Sequence, residues 1–159
     1  MNRGHESWME IALEEAREAE VEGEVPVGAV AVRGSEIVGR GRNRTEGRRD
    51  PTAHAEVLAL REAARSLASW RLDGVTLYST LEPCAMCAGA CVLARIDRLV
   101  YGADDPKAGM SGSLASIPDD PRLNHRVDIV RGVLSDRCGA LLRDFFRARR
   151  SSADIPASG

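Results

Sequence analysis

The amino-acid sequence predicts an α/β fold of three layers, in which helices cover both faces of a central, mixed, five-stranded sheet. Three observations support this fold: helix-like and strand-like apolar patterns follow each other in mixed order, one segment has a strand–helix–strand pattern, and no internal repeat occurs. The 159 residues, 43% hydrophobic and 29% charged, suit one domain with one core. We expect a single domain over residues 1–150 and a flexible tail at 151–159.

The first half of the chain predicts a helix, a β-hairpin and a second helix. Apolar residues from Trp8 to Ala19 recur at three- and four-residue intervals, as on one face of a helix. Gly34 and Ser35 mark a turn between two β-rich segments, which predicts the hairpin. Thr52 is a suitable N-cap residue for the second helix. In order, these elements span residues 7–22, 25–32, 37–41 and 53–68.

The second half predicts a strand–helix–strand unit, then a last strand and a last helix. Pro83 suits the first position of the helix inside this unit. Two strands joined in this way form a parallel pair with a right-handed crossover. Five apolar residues from Cys138 to Phe146 are spaced as one face of the last helix. The elements before that helix span residues 75–80, 83–94, 98–102 and 126–131, with mainly loop at 103–125.

The composition of the chain indicates the cellular compartment in which the protein works. The N-terminal residues contain no apolar run, and no stretch approaches the roughly 20 apolar residues of a membrane span. We therefore expect a cytoplasmic protein that has no membrane partner. In a reducing compartment, the four cysteines favour metal binding over disulfides, and three of them lie within eight residues, at 84–91.

Charge is unevenly distributed along a chain whose net charge is −2. Residues 1–24 carry a balance of −6, whereas residues 40–49 and 137–150 each carry +4 through five arginines and one acid. Arginine-rich segments on a mildly acidic protein can bind a polyanion locally. They can equally be solvated surfaces, and both interpretations stay open at this point.

The motif that indicates chemistry is His54-Ala55-Glu56, followed by Pro83-Cys84-Ala85-Met86-Cys87. One imidazole and two thiolates are ligands that zinc prefers, and three protein ligands leave the fourth position open, as in catalytic sites. Cys84 and Cys87 are three residues apart on one helix, so both sulfurs can reach one metal. Glu56 is not needed as a ligand and can carry protons. The whole pattern is similar to the signature of zinc-dependent nucleobase deaminases.

Cys91 is the alternative fourth ligand, which would close the metal site. It lies four residues beyond Cys87, about 6 Å further along the helix axis at ~1.5 Å per residue. We therefore expect Cys91 to be a core residue. Cys138, on the apolar face of the last helix, is expected to lie in the core as well.

Segments around the motif resemble the bacterial tRNA-specific adenosine deaminases. The resemblance extends from about residue 8 to residue 150, nearly the whole chain. The zinc motif alone would also fit cytidine, deoxycytidylate, guanine and riboflavin-pathway deaminases, and the flanking segments favour the tRNA-acting branch. The matching segments are residues 25–30, 50–56, 78–90, 112–114, 124–127 and 144–147.

This resemblance implies a cytidine deaminase-like fold, a homodimer and hydrolysis of adenosine to inosine at the wobble position of tRNA. The expected substrate is the anticodon loop of an arginine tRNA with anticodon ACG. A zinc-bound hydroxide would attack C6, with Glu56 as the proton shuttle.

The resemblance also implies the residues of the site. His54, Cys84 and Cys87 would hold one Zn2+ per subunit. Asn43 matches a family asparagine that contacts the base, while Asp105 and Lys107 match a loop near the anticodon.

Two alternatives remain at this stage. The first is a deaminase of a free base or nucleotide of the guanine, cytosine or cytidine type, which would share the zinc motif. The second is a catalytically silent zinc-binding partner subunit. The arginine-rich segments and flanking matches argue against the first, and the presence of Glu56 argues against the second.

Overall fold

A computed structural model of the chain describes residues 4–153, in which five strands form one sheet and five helices surround it. The helices are α1 (His5–Val21), α2 (Thr45–Arg48), α3 (Ala55–Ser66), α4 (Ala85–Ala94) and α5 (Ser135–Ala153). The strands are β1 (Gly28–Arg33), β2 (Glu36–Arg42), β3 (Val75–Leu81), β4 (Arg98–Ala103) and β5 (Asp128–Val130).

The sheet is mixed, with strand order β2-β1-β3-β4-β5. Strand β1 is antiparallel to both β2 and β3. Strands β3, β4 and β5 are mutually parallel, and α4 forms the connection between β3 and β4. The predicted α/β class, hairpin and strand–helix–strand unit are therefore confirmed.

Successive side chains along each strand point to opposite faces of the sheet, so the core has two halves. Val30, Tyr78 and Val100 pack with α1 and α5 on one face of the sheet. Ala29 and Leu77, the neighbours of two of these residues, pack with α3 and α4 on the other face. A strand points successive side chains to opposite faces, so both faces of this sheet are covered. The result is the three-layer α/β/α arrangement.

Two glycines of β2 let α3 lie directly on the sheet. A Cβ atom built on Gly41 would lie 2.0 Å from the carbonyl oxygen of Ala55, and one on Gly39 would lie 2.3 Å from that of Ala59. Any larger residue would push the helix away. This close contact fixes the first turn of α3, which belongs to the candidate site. The apolar pattern gave no indication of it.

The predicted helix starts need correction. Thr52 does not cap α3, because its N–H and hydroxyl groups both donate to Asp50, and His54 is the N-cap residue. Pro83 is not the first residue of α4, since the N-cap is Cys84 and the helix begins at Ala85. The short helix α2 was not predicted, because four residues are too few to show a periodic pattern.

Helix α5 continues to Ala153, so the first three residues of the predicted tail are helical. Residues 154–159 lie outside the described part of the chain. Among residues 4–153, no helix is both long enough and apolar enough to cross a bilayer.

The remaining two cysteines lie in the core, as predicted. Cys91 of α4 is fully buried in the half of the core that contains α3, and Cys138 of α5 is buried in the half that contains α1. Neither belongs to the group of side chains that could share a metal ion.

Candidate active site

Three side chains that could together hold a metal ion meet where the N-termini of α3 and α4 approach each other. His54 is the N-cap residue of α3, Cys84 is the N-cap residue of α4, and Cys87 lies in the first turn of α4. The Nδ1 atom of His54 lies 3.6 Å from Sγ of Cys84 and 3.5 Å from Sγ of Cys87. The fold thus brings together the three residues that the sequence selected as ligands.

The spacing of these donor atoms fits a tetrahedral zinc ion. With Zn–S bonds of about 2.3 Å and Zn–N bonds of about 2.0 Å, a tetrahedral angle places nitrogen and sulfur about 3.5 Å apart. The observed separations of 3.5 and 3.6 Å agree with that value. Within the described residues, His54, Cys84 and Cys87 form the group that could hold a metal ion. With three protein ligands, the fourth position would be open.

The thiols of this cluster differ in acidity. Hydrogen bonds from Cys87 and His54 lower the pKa of Cys84 to about 3. The pKa of Cys87 is raised, because it shares a hydrogen bond with Cys84 and is buried. The pKa of His54 is raised mainly by its hydrogen bond with Cys84. Binding of a metal ion would therefore release protons from His54 and Cys87.

Glu56 lies beside the ligands in the first turn of α3. Its side chain is only 4% exposed, and burial raises the pKa of its carboxyl group. The positive charge of His54 acts in the opposite direction. Glu56 therefore supplies a carboxyl group in contact with the interior of the site, shielded from bulk water.

A cavity of about 240 Å³ opens above these residues. Its walls combine apolar side chains with a few polar groups, which is the usual composition of a small-molecule site. Asn43 and Asp105 line it, as the sequence led us to expect for substrate contacts, whereas Lys107 does not. The lining residues are Val25, Val27, Asn43, Thr45, His54, Ala55, Glu56, Leu81, Glu82, Cys84, Asp105 and Ala108.

Asn43 is mostly buried, and its amide bonds only loosely to the protein. Its Nδ2 donates to the carbonyl of Val25 at 3.4 Å, and its Oδ1 accepts from the N–H of Thr45 at 3.4 Å. Both distances are at the long end for hydrogen bonds. The amide can therefore exchange these partners for a donor and an acceptor on a ligand in the cavity.

Asp105 and Lys107 belong to one turn, but Asp105 lines both the cavity beside the ligands and a wider one, whereas Lys107 lines only the wider one. Oδ1 of Asp105 accepts from the N–H groups of Lys107 at 3.1 Å and Ala108 at 3.2 Å, so Asp105 shapes the cavity rim. Lys107 is exposed and lines a wider cavity of about 600 Å³. The two cavities share the residues Val25, Leu81, Asp105 and Ala108.

Helix α5 brings three arginines of the 137–150 segment to this wider cavity. Arg143, Arg147 and Arg150 line it together with Phe146, a partly exposed aromatic residue. We call the cavity of about 240 Å³ the inner cavity. Because it adjoins the guanidinium groups of the wider cavity, the two together can bind a base at one end and phosphates at the other.

Two buried glutamates, Glu24 and Glu82, hold loops beside the inner cavity in place. Neither was predicted from the sequence. Glu24 accepts from the N–H groups of Glu46 at 3.0 Å and Gly47 at 2.8 Å, and so holds the start of α2. Glu82 is the second, in the loop after β3, and is only 1% exposed. Each acid lies within a motif or charged segment, but nothing in the sequence indicates which backbone it binds.

Glu82 binds the loop that carries Asp105. Its carboxylate accepts from the N–H groups of Asp105 at 3.0 Å, Ser111 at 3.0 Å and Ser113 at 2.9 Å, and also from the hydroxyl of Ser113. Burial would raise the pKa of Glu82, but these hydrogen bonds outweigh it and hold the pKa below its ordinary value. Glu82 is therefore ionised and holds the loop in place.

Comparisons with known proteins show the family of this chain. A family model described as MafB19-like deaminase matches residues 3–150. The chain is also 50% identical to the tRNA-specific adenosine deaminase of Bacillus subtilis strain 168, over 91% of this chain and 90% of that protein. The chain belongs to the tRNA-specific adenosine deaminase family. The resemblance drawn from the motifs is confirmed, and the chain is an enzyme of the deaminase type.

Solved structures of deaminases share the fold. One, from a study of A-to-I editing by tRNA:A34 deaminases at the wobble position, matches with a TM-score of 0.82 and 44% identity, covering 86% of this chain and 99% of that chain. The guanine deaminase of Nitrosomonas europaea also matches, with a TM-score of 0.77 and 25% identity, covering 91% and 85% of the two chains. The three-layer α/β/α arrangement is therefore the cytidine deaminase-like fold.

Proposed function

We propose that this enzyme hydrolyses adenosine to inosine at the wobble position of tRNA, with an arginine tRNA of anticodon ACG as its main substrate. One observation carries the proposal: His54, Cys84 and Glu56 line a cavity beside Cys87, and this cavity shares lining residues with a second, arginine-lined cavity at α5. Relatives of this chain are named tRNA-specific adenosine deaminases. A nucleotide within a polyanion is a suitable ligand for such a pair of cavities.

The metal that we propose is one Zn2+ per subunit, held by His54, Cys84 and Cys87. The donor set and its spacing support this choice, as the separations of 3.5 and 3.6 Å fit tetrahedral coordination. Zinc at such a site supplies Lewis acidity, which makes water a nucleophile near neutral pH.

Glu56 moves the protons of the reaction. Water adds its oxygen to C6 of adenine, Glu56 accepts the proton that this water loses, and it delivers that proton to N1. The C6–N6 bond then breaks, and Glu56 transfers the second proton of the added oxygen to the departing amine. Ammonia and inosine are the products. Glu56 is placed for this role because it lines the cavity beside His54 and Cys84.

The remaining polar residues position the substrate. The Asn43 amide donates and accepts along the purine edge, in exchange for its two long bonds of 3.4 Å. Asp105 fixes the conformation of the turn at the rim of the inner cavity, because it accepts hydrogen bonds from the backbone of that turn. Lys107 and the α5 arginines contact phosphates of the anticodon loop in the wider cavity. An anticodon loop suits this site because its bases leave the stack more easily than those of a duplex.

The enzyme would act as a homodimer. Large apolar side chains are exposed on the side of the molecule formed by α3 and α4, notably Trp70 at 67% and Leu93 at 76%. They line two shallow hollows with apolar neighbours that include Leu60 and Leu123. An apolar surface of this kind is typical of protein interfaces. Analytical ultracentrifugation at micromolar concentration checks this, and a monomer would contradict it.

We place the enzyme in the cytoplasm, where tRNA is found. All four cysteines are free thiols, which fits a reducing compartment.

Editing of tRNA can be tested with the zinc-loaded protein. Inosine at the wobble position of an ACG arginine tRNA, read by sequencing, would support the proposal. The similarity to guanine deaminase of Nitrosomonas europaea makes a free-base deaminase the second candidate. Release of ammonia from guanine, cytosine or cytidine, without editing of tRNA, would favour that candidate. Bound zinc with no turnover on either substrate would indicate a silent partner subunit.

A further inference from the structure

A groove rich in arginine lies outside both cavities of the candidate site. It has a volume of about 350 Å³ and follows β2, the edge strand of the sheet, between α1 and α3. We call it the arginine groove, defined by six residues. These are Arg40, Arg42, Arg44, Arg48, Arg61 and Arg65.

The groove carries a surplus of positive charge. Its acidic lining residues are Glu15 and Glu62. Arg40 and Arg42 are paired with Glu15, at 3.6 and 3.3 Å, and these pairs form one wall. The other four arginines are different: within residues 4–153, their side chains make no ion pair or hydrogen bond. Those four are Arg44, Arg48, Arg61 and Arg65.

The groove is joined to the catalytic cavity by the segment that contains α2. Asn43 and Thr45 line the cavity, whereas Arg44 and Arg48 of the same segment line the groove. Glu24 holds this segment through its bonds to Glu46 and Gly47. Helix α2 is a single turn, about 6 Å long at ~1.5 Å per residue, so the two sites are a few nucleotides apart at most.

Guanidinium groups that make no ion pair or hydrogen bond within the described residues match a ligand with repeated phosphates, although Arg48 and Arg61 lie within the electrostatic reach of Asp50. Arginine forms paired, charge-assisted hydrogen bonds with phosphate oxygens. We propose that the arginine groove is a phosphate-binding subsite for the RNA backbone that flanks the nucleotide in the catalytic cavity. This inference rests on the proposed function, because it assumes that the substrate is RNA. It adds a second contact surface, whose lining residues differ from those of the wider cavity at α5.

The test is direct binding of an anticodon stem-loop RNA, measured by fluorescence anisotropy over a salt series. The variant is Arg48→Gln with Arg65→Gln, which removes two exposed and unpaired charges and leaves the cavity lining intact. The matched control is Arg33→Gln with Arg98→Gln. These exposed arginines lie beside Val75 and Thr76, at the end of β3 opposite the site, and the change in charge is identical.

We expect the slope of log Kd against log salt to fall by about 1.4–1.8 in the groove variant, since each phosphate contact contributes ~0.7–0.9. At 0.1 M salt this corresponds to an affinity loss of about 25- to 60-fold. The control should bind as the unmodified protein does. Thermal melting and sedimentation confirm that both variants keep their fold and assembly state.

Two results would overturn the inference. Unchanged binding by the groove variant would mean that the arginines only protect the edge of β2 from pairing with another strand. Equal loss in the groove variant and the control would mean a general effect of charge rather than a local site. The editing assay on the unmodified protein is scored separately. Suppose that the unmodified protein forms no inosine but the groove variant still binds RNA more weakly than the control. The proposed reaction would then be rejected, and the phosphate-binding role of the groove would stand.

Discussion

Nδ1 of His54 lies 3.5 Å from Sγ of Cys87, although 33 residues separate the two in the chain. The contact depends on two helix starts, because α3 begins after His54 and α4 begins after Cys84. It also depends on the close packing of α3 on β2.

Replacement of Glu56 by Gln should remove turnover and leave the metal in place. The amide keeps the size of the side chain but cannot accept and return a proton. We expect activity on the RNA substrate to fall by at least ~100-fold, the lower end for general acid–base catalysis. Metal analysis should still find one zinc per chain. Turnover near that of the unmodified protein would reject Glu56 as the proton carrier.

Replacement of Cys84 by Ala should remove zinc and activity together, since two protein ligands remain. The matched control is Cys91→Ala, which changes a cysteine on the same helix that lies in the core. The control should keep one zinc per chain, with a modest loss of stability. Plasma emission spectroscopy measures the zinc content per chain of both variants and so tests the ligand assignment. Full zinc content in the Cys84 variant, or its loss in the Cys91 variant, would contradict the ligand assignment.

Replacement of Gly41 by Ala should destabilise the contact between β2 and α3. The new Cβ would lie 2.0 Å from the carbonyl oxygen of Ala55, so α3 must shift. We expect a loss of about 1–3 kcal/mol in the free energy of unfolding, the usual cost of overpacking, and weaker zinc binding. Gly89→Ala is the control, because a Cβ there meets no atom within 4 Å apart from its chain neighbours and the backbone of its own helix. Urea unfolding compares the two, and equal stability would contradict the packing argument.

Replacement of Glu82 by Gln should loosen the loop at 105–113. The carboxylate accepts four hydrogen bonds from that loop, and an amide oxygen beside an NH2 group cannot satisfy them all. We expect about 1–3 kcal/mol of lost stability, the usual cost of leaving a buried polar group unsatisfied. The exposed residue Glu62 provides the control, as Glu62→Gln. Identical unfolding curves for the two variants would mean that Glu82 does not brace the loop.

Most of the fold and the centre of the site could be predicted from the sequence. Apolar spacing indicated the helices and strands, and the motif spacing selected His54, Cys84 and Cys87, which the fold brings together. The helix starts were misplaced, because Asp50 competes with the helix for the hydroxyl of Thr52. A local rule for capping cannot anticipate such a competing bond.

The supporting structure could not be predicted in this way. Glu24 and Glu82 bind backbone N–H groups more than 20 residues away, and no local pattern specifies such partners. The arginine groove shows the same limit. Arg48 belongs to an arginine-rich segment visible in the sequence, but Arg65 joins it only because α3 lies on β2.

The measurement that tests the central claim most directly is a time course with zinc-loaded protein and arginine tRNA of anticodon ACG. A second tRNA that lacks adenosine at the wobble position serves as the control. The account predicts that inosine accumulates at the wobble position of the first tRNA, with one equivalent of ammonia released. It also predicts no reaction with the control. Absence of inosine from the ACG tRNA, with zinc bound and the protein folded, would contradict the account.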